Sequence, residues 1–280
     1  MTVPDDTRTC GRAGGQVVVQ DDTGHKLIYC FIPLLTAQLL LCAAAALLAD
    51  MPAAGLLLGH ILTAGMCMVL LREDGVRECR TAFRCGTFRE RPGCIEPDGA
   101  PVGRPSKAVS GHITAAETSA WIAAAIAVCL ISTYLLNISG IMDADKAYIS
   151  ADAVMEEAPG ILRPVLVLIA APISEEMLYR GVLYQRVTGC FDRKAGFLAA
   201  VAAFALSHGN LTQGIAACAS GVLLTAARIR CRGEGERCGG SCEGGEQDDG
   251  RGSMGRLWLP VLIHAAFNAC SEYVVPVLQA

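Results

Sequence analysis

Glu175, Glu176, Arg180, His208 and His264 are ionisable residues set within or beside apolar segments, where a charge costs several kcal/mol unless it is paired or reaches water. That cost marks them as candidate functional groups. At ~100° per helical residue, Glu176 and Arg180 share one face at i,i+4, the orientation that favours an ion pair, while Glu175 points elsewhere. One carboxylate can then be held fixed and charged while its neighbour acts on a water. His264 and Asn268 are also spaced i,i+4 and bring an imidazole and an amide to one point. These are the parts needed for peptide hydrolysis: a carboxylate that takes a proton from water, an imidazole that assists or reprotonates the leaving amine, and donors for the oxyanion. No Ser or Cys stands beside a base at an obvious elbow, which argues against a covalent nucleophile.

The elements that must position these groups are membrane helices. Of 280 residues 52% are hydrophobic and 18% charged, which is not the balance of a soluble fold of that length. The apolar residues are clustered. Leu27 to Ala49 and Ala120 to Met142 each run 23 residues without a charge, enough to cross a bilayer core of ~30 Å. This excludes a soluble enzyme, a secreted disulfide scaffold and a disordered chain. A net charge of -4 gives no basic footprint for nucleic acid. The N-terminal stretch lacks a basic region leading into a short apolar one, so no cleavable signal peptide is expected.

Seven spans are expected. Leu27 to Ala49 and Pro52 to Leu71 form a hairpin, followed by Ala120 to Met142 and by Pro164 to Gln185, which carries the glutamates. Ala195 to Ala227 has 33 residues without Asp, Glu, Lys or Arg, too long for one crossing, so a break is expected at Gly209-Asn210. Leu257 to about Leu278 is the last span. The domain reading is a tail at 1 to 26, three helices at 27 to 142 with a proline-rich surface loop at 72 to 118, and a catalytic core at 164 to 280. A Gly-rich, disordered loop is expected at 228 to 256. Basic residues concentrate in alternate connections, and only Lys146 and Arg163 fall in the others, which puts the N-terminus in the cytoplasm and the C-terminus outside.

Of fourteen cysteines, Cys30, Cys42, Cys67, Cys129, Cys218 and Cys270 lie in apolar segments as small packing residues. Cys79, Cys85, Cys94, Cys231, Cys238 and Cys242 lie in loops facing a reducing compartment, without the paired spacing of a metal site. His60, alone among Leu and Gly, reads as a packed or interhelically bonded histidine and is left out of the site. The loop from Arg72 to Lys107 reads first as the positive-inside signature.

Three segments together resemble a known family, the CPBP intramembrane proteases. Glu175 to Gly181 (EEMLYRG) is similar to its Glu-Glu-x-x-x-Arg motif, Phe204 to His208 (FALSH) to its Phe-x-x-x-His motif, and His264 to Asn268 (HAAFN) to its last motif. The family is named for type II CAAX prenyl endopeptidases and for bacteriocin-processing and immunity relatives. The resemblance spans residues 164 to 270. It implies an all-helical membrane fold with the site facing a water-accessible cavity. It further implies that Glu175 and His208 activate water, that His264 and Asn268 form the oxyanion site, and that Glu176 and Arg180 support them. The expected function is a metal-independent endopeptidase with no cofactor. Its partners are the lipid bilayer and a membrane-associated peptide or protein, lipidated or not.

Three alternatives stay open at this point. A zinc metalloprotease could use two glutamates and two histidines, yet there is no His-Glu-x-x-His helix. A scaffold or immunity protein could keep the motif for assembly. A proton-coupled carrier could use the same relay groups, although the two halves show no internal repeat. Residue types alone do not name the substrate.

Overall fold

A computed structural model describes residues 23–84, 113–236 and 257–279. It is all-helical, with no strand among the described residues. The expected tail at 1 to 26 lies mostly outside the described residues. So do the middle of the proline-rich loop and most of the Gly-rich loop, from 237 to 256.

Helices α1 (Thr23–Leu47) and α2 (Pro52–Arg84) form the expected hairpin. They pack unusually closely because Gly55 and Gly59 of α2 face α1. A Cβ on Gly59 would lie 2.8 Å from Leu41 Cδ2 and 3.0 Å from Leu41 Cα, so only hydrogen fits there. Beyond the bilayer-length part, α2 continues to Arg84, thirteen residues into the stretch expected to be loop. Polarity had suggested the loop. No proline lies between Leu71 and Arg84, and the single glycine there, Gly75, is carried within the helix.

The extension has a structural use. Asp74 receives Arg186 Nε at 2.8 Å and Nη2 at 3.2 Å, together with the Tyr29 hydroxyl at 2.9 Å. Arg186 also donates to the Tyr29 carbonyl at 3.0 Å, and its guanidinium stacks 4.3 Å from the Tyr29 ring centroid. A partly buried bidentate pair therefore ties α1 and α2 to the end of the helix that carries the glutamates.

Helix α3 (Ala115–Ile138) starts five residues before its expected apolar run because Thr114 and Glu117 form a capping box. Two short helices follow in the acidic stretch, α4 (Ile141–Ala144) and α5 (Lys146–Glu156). Next comes α6, an unbroken helical run from Leu162 to Cys190 containing two π-helical stretches, Leu166–Ala170 and Glu176–Leu183. Every residue from Glu176 to Tyr184 is buried, so α6 is the central helix, wrapped on all sides by the others.

The expected break in the long apolar run is present. Helix α7 (Arg193–Leu206) and helix α8 (Leu211–Glu236) are joined by a turn with Gly209 at φ +69, a left-handed conformation that favours glycine. Helix α8 reaches nine residues into the expected Gly-rich loop. Helix α9 runs from Trp258 to Gln279 through a third π-helical stretch, Cys270–Val274. Among the described residues five helical segments are long and apolar enough to cross a bilayer, in α1, α2, α3, α8 and α9. The two further spans in the expected seven correspond to α6, which carries charges, and to α7, which has 14 residues.

The main core cluster among the described residues is centred on α6, with Met177, Leu178, Tyr179, Val182 and Leu183 packed against Phe204, Leu224, Leu257 and Ile263. Leu71 and Cys67 of α2 close it from the side of the hairpin. A smaller cluster joins Cys129 of α3 to Cys270 and Val275 of α9.

Candidate active site

The glutamates sit at a change of helical register. Ala171 donates its N–H to Leu166 O, five residues back. The next donor in that register would serve Val167 O, but residue 172 is proline and has no N–H. Asn268 of α9 fills the gap, its Nδ2 lying 2.9 Å from Val167 O. A carbonyl orphaned by Pro172 is thus satisfied from another helix, and one of the two amide hydrogens of Asn268 remains for a bound group. The α-helical register resumes over Ala171–Glu175 and changes again at Glu176. π-helical stretches set inside α-helices are frequent at functional sites.

The two carboxylates have different environments. Glu176 is fully buried, and its Oε1 accepts from Arg180 Nη1 at 2.9 Å and from His264 Nδ1 at 2.9 Å. Arg180, equally buried, stacks 4.3 Å from the centroid of Phe204 and donates to Gly221 O at 3.4 Å. Glu175 is 23% exposed, and its Oε2 lies 3.6 Å from His264 Nε2. Of the two, only Glu175 is reachable by water. His264 stands between them.

Elementary hydrogen bonding assigns the ring protons. An ionised carboxylate can only accept, so His264 carries its proton on Nδ1 towards Glu176, and Nε2 faces Glu175. His208 lies in the turn after α7, and its Nδ1 is 2.8 Å from Phe204 O. A carbonyl also only accepts, so the neutral ring of His208 presents an unprotonated Nε2. The structure does not bond His208 directly to Glu175. The connection is the Phe204 ring, whose centroid lies 5.1 Å from that of His208, 5.5 Å from that of His264 and 5.2 Å from that of Tyr179.

The expected residues therefore gather unevenly. Glu176, Arg180 and His264 form one bonded cluster, Glu175 stands beside it at 3.6 Å from His264 Nε2, His208 joins it through Phe204, and Asn268 is anchored one turn past His264. Sequence reasoning missed two neighbours. Phe204 was read only as a motif letter, and Ser174, directly before the glutamates, bonds to His60 at 2.7 Å. A polar residue beside Glu175 was the one signal for the second.

The turn holding His208 is fixed from the neighbouring loop. Asp145 accepts from Tyr148 N at the start of α5, and from Thr212 N at 2.8 Å and Thr212 Oγ1 at 3.0 Å at the start of α8. These donors, the Thr212 N–H first, hold the Asp145 carboxyl below its ordinary value. A depressed folded value means that the stabilisation is complete above the unfolded value, ~3.9, and is lost as pH falls through the folded one. Asp145→Ala is expected to lower the thermal midpoint at pH 7, and the gap to the wild type should close on acidification below about pH 4. Midpoints measured across that range check this, and a gap independent of pH would contradict it.

Residues 157–270 match the family model described as type II CAAX prenyl endopeptidase Rce1-like. This segment is Rce1-like. The match takes in α6, α7, α8 and α9 as far as Cys270, so it contains every residue of the bonded cluster. It bears out the resemblance read from the three motifs, and it supports a membrane endopeptidase of the CAAX type as the class of function. The hairpin α1–α2 and helix α3 lie outside the Rce1-like segment. Comparison with curated proteins and with solved structures returned no match.

Proposed function

We propose that the chain is a membrane endopeptidase in which Glu175, assisted by His208, activates water without a metal. Glu175 takes a proton from the water as its oxygen attacks the peptide carbonyl carbon. The resulting oxyanion is met by His264 and by the second amide N–H of Asn268. His264 gives its Nδ1–H to Glu176, so a proton on Nε2 makes it an imidazolium, and Glu176 stabilises that charge. With two carboxylates, one guanidinium and one imidazolium, the cluster is neutral, which a low-dielectric site favours. As the C–N bond breaks, the leaving nitrogen receives the proton held by Glu175 or relayed through His208. An amine and a carboxylic acid depart, and Glu175 is again ionised.

One observation carries this reading. His264 stands between a buried carboxylate, bonded through one oxygen to both Arg180 and His264, and an accessible one, which separates an orienting role from a base role in adjacent residues. A metal shell is disfavoured by the same contacts, since Glu176 is committed to Arg180 and His264 and donates poorly to an ion. The substrate class follows the Rce1-like match, a membrane-associated protein ending in a prenylated CAAX sequence. On the distribution of basic residues we place the protein in the cell membrane with the N-terminus inside and the C-terminus outside.

The test is hydrolysis of a quenched-fluorescent, farnesylated CAAX peptide by the detergent-purified chain. Release of the peptide after the prenylated cysteine supports the reading. A folded protein that leaves this peptide and its unprenylated form intact would point instead to a non-catalytic scaffold.

A further inference from the structure

His60 lies on α2, outside the Rce1-like segment, with its Nδ1 2.7 Å from Ser174 Oγ. Ser174 is fully buried and is the residue before Glu175. Its Oγ also lies 3.1 Å from Ala171 O. A hydroxyl has one proton and a carbonyl only accepts. Both contacts are hydrogen bonds only if Ser174 donates to Ala171 and accepts from His60 Nδ1–H. The neutral ring of His60 therefore carries its proton on Nδ1.

The position of His60 is fixed from behind. Gly59, its chain neighbour, lies against Leu41 with no room for a side chain, so α2 cannot slide along α1 without a clash. In front, Glu175 closes the α-helical stretch and Glu176 opens the π-helical one. Where the hydrogen-bond register changes, the direction in which a side chain leaves the helix is not set by a regular ladder. A side-chain bond at Ser174 supplies what the ladder does not. His60 is also within electrostatic range of both Glu175 and His264.

We propose that His60, acting through Ser174, is a positioning residue for Glu175. The α1–α2 hairpin thereby becomes part of the catalytic apparatus, although it lies outside the matched segment. The inference rests on the reading of Glu175 as the base.

The experiment uses the full-length chain in detergent and the farnesylated quenched peptide. His60→Ala and Ser174→Ala are each expected to lower kcat by about 10²-fold, the scale of a 1 Å misplacement, with KM changed little. Because both act on one bond, the double variant should be no slower than either single variant. His60→Asn keeps an N–H near the Nδ1 position and should recover most of the loss, whereas His60→Gln should not. A merely structural role would lower the melting temperature and leave kcat intact. If His60→Ala fails to fold, Ser174→Ala and His60→Asn carry the same comparison.

A second readout needs no turnover. Nitrogen NMR of histidine-labelled protein, with His60 assigned from His60→Asn, should show the Nδ1–H form, altered by Ser174→Ala. An Nε2–H form would overturn the proposal. So would wild-type kcat in both His60→Ala and Ser174→Ala while Glu175→Gln is inert. Full activity in Glu175→Gln would instead overturn the reading on which the proposal rests.

Discussion

Glu175→Gln is expected to lower kcat by about 10²–10⁴-fold, the contribution of a positioned general base, while the protein inserts, folds and melts like the wild type. The replacement keeps the shape of the side chain and removes only its basicity. Little structure depends on the lost charge. Glu175 is 23% exposed and stands 3.6 Å from His264 Nε2, outside hydrogen-bond range, whereas the ion pair of the cluster belongs to Glu176. Steady-state cleavage of the farnesylated peptide and a melting curve, taken on one preparation, test both halves. Activity within tenfold of the wild type would remove Glu175 from the role of base.

Glu176→Gln has the opposite profile. Arg180 is fully buried, and Glu176 Oε1 is its one carboxylate partner and the acceptor for His264 Nδ1. Removing that charge leaves a guanidinium uncompensated in a low-dielectric site, which costs about 3–5 kcal/mol when one member of a buried pair is lost. Stability and activity should fall together. Pairing the change with Arg180→Met removes both charges and should restore much of the stability, because replacing a whole buried pair with apolar volume is often neutral. Activity should stay low, since His264 still lacks its orienting carboxylate. Denaturation curves of the single and double variants decide the point. A Glu176→Gln curve that superimposes on the wild type would show that the pair is not structural.

What the sequence disclosed depended on range. The pairing of Glu176 with Arg180 was legible because i,i+4 spacing is a property of one helix. The break at Gly209 was legible because 33 uncharged residues exceed a bilayer. The helical extent of α2 to Arg84 was not. Hydropathy measures membrane depth, and it reads a polar helix end as a loop. The bond of Asn268 to Val167 depends on Pro172 withdrawing a donor a hundred residues away, which no local spacing reveals. His60 was expected to bond between helices, and it does. That its partner is the residue beside Glu175 is a matter of how α2 packs on α6, 114 residues apart in the chain. Phe204 shows the same limit, since its contacts with His208 and His264 exist only after α7 folds back on α6.

A water activated by Glu175 and a water bound to zinc differ in one directly measurable way. A zinc site would need its ligands at about 2.0–2.2 Å, drawing at least one glutamate and both histidines into a tetrahedral shell. In this structure Glu176 is engaged by Arg180 and His264, and His208 is turned to the Phe204 carbonyl. Elemental analysis of the detergent-purified protein, coupled to activity before and after prolonged chelation, is therefore the most direct test. The expected result is no stoichiometric zinc and undiminished cleavage after chelation. About one zinc per chain, with activity lost on its removal and restored on its return, would contradict the account and place a metal at the centre of the chemistry.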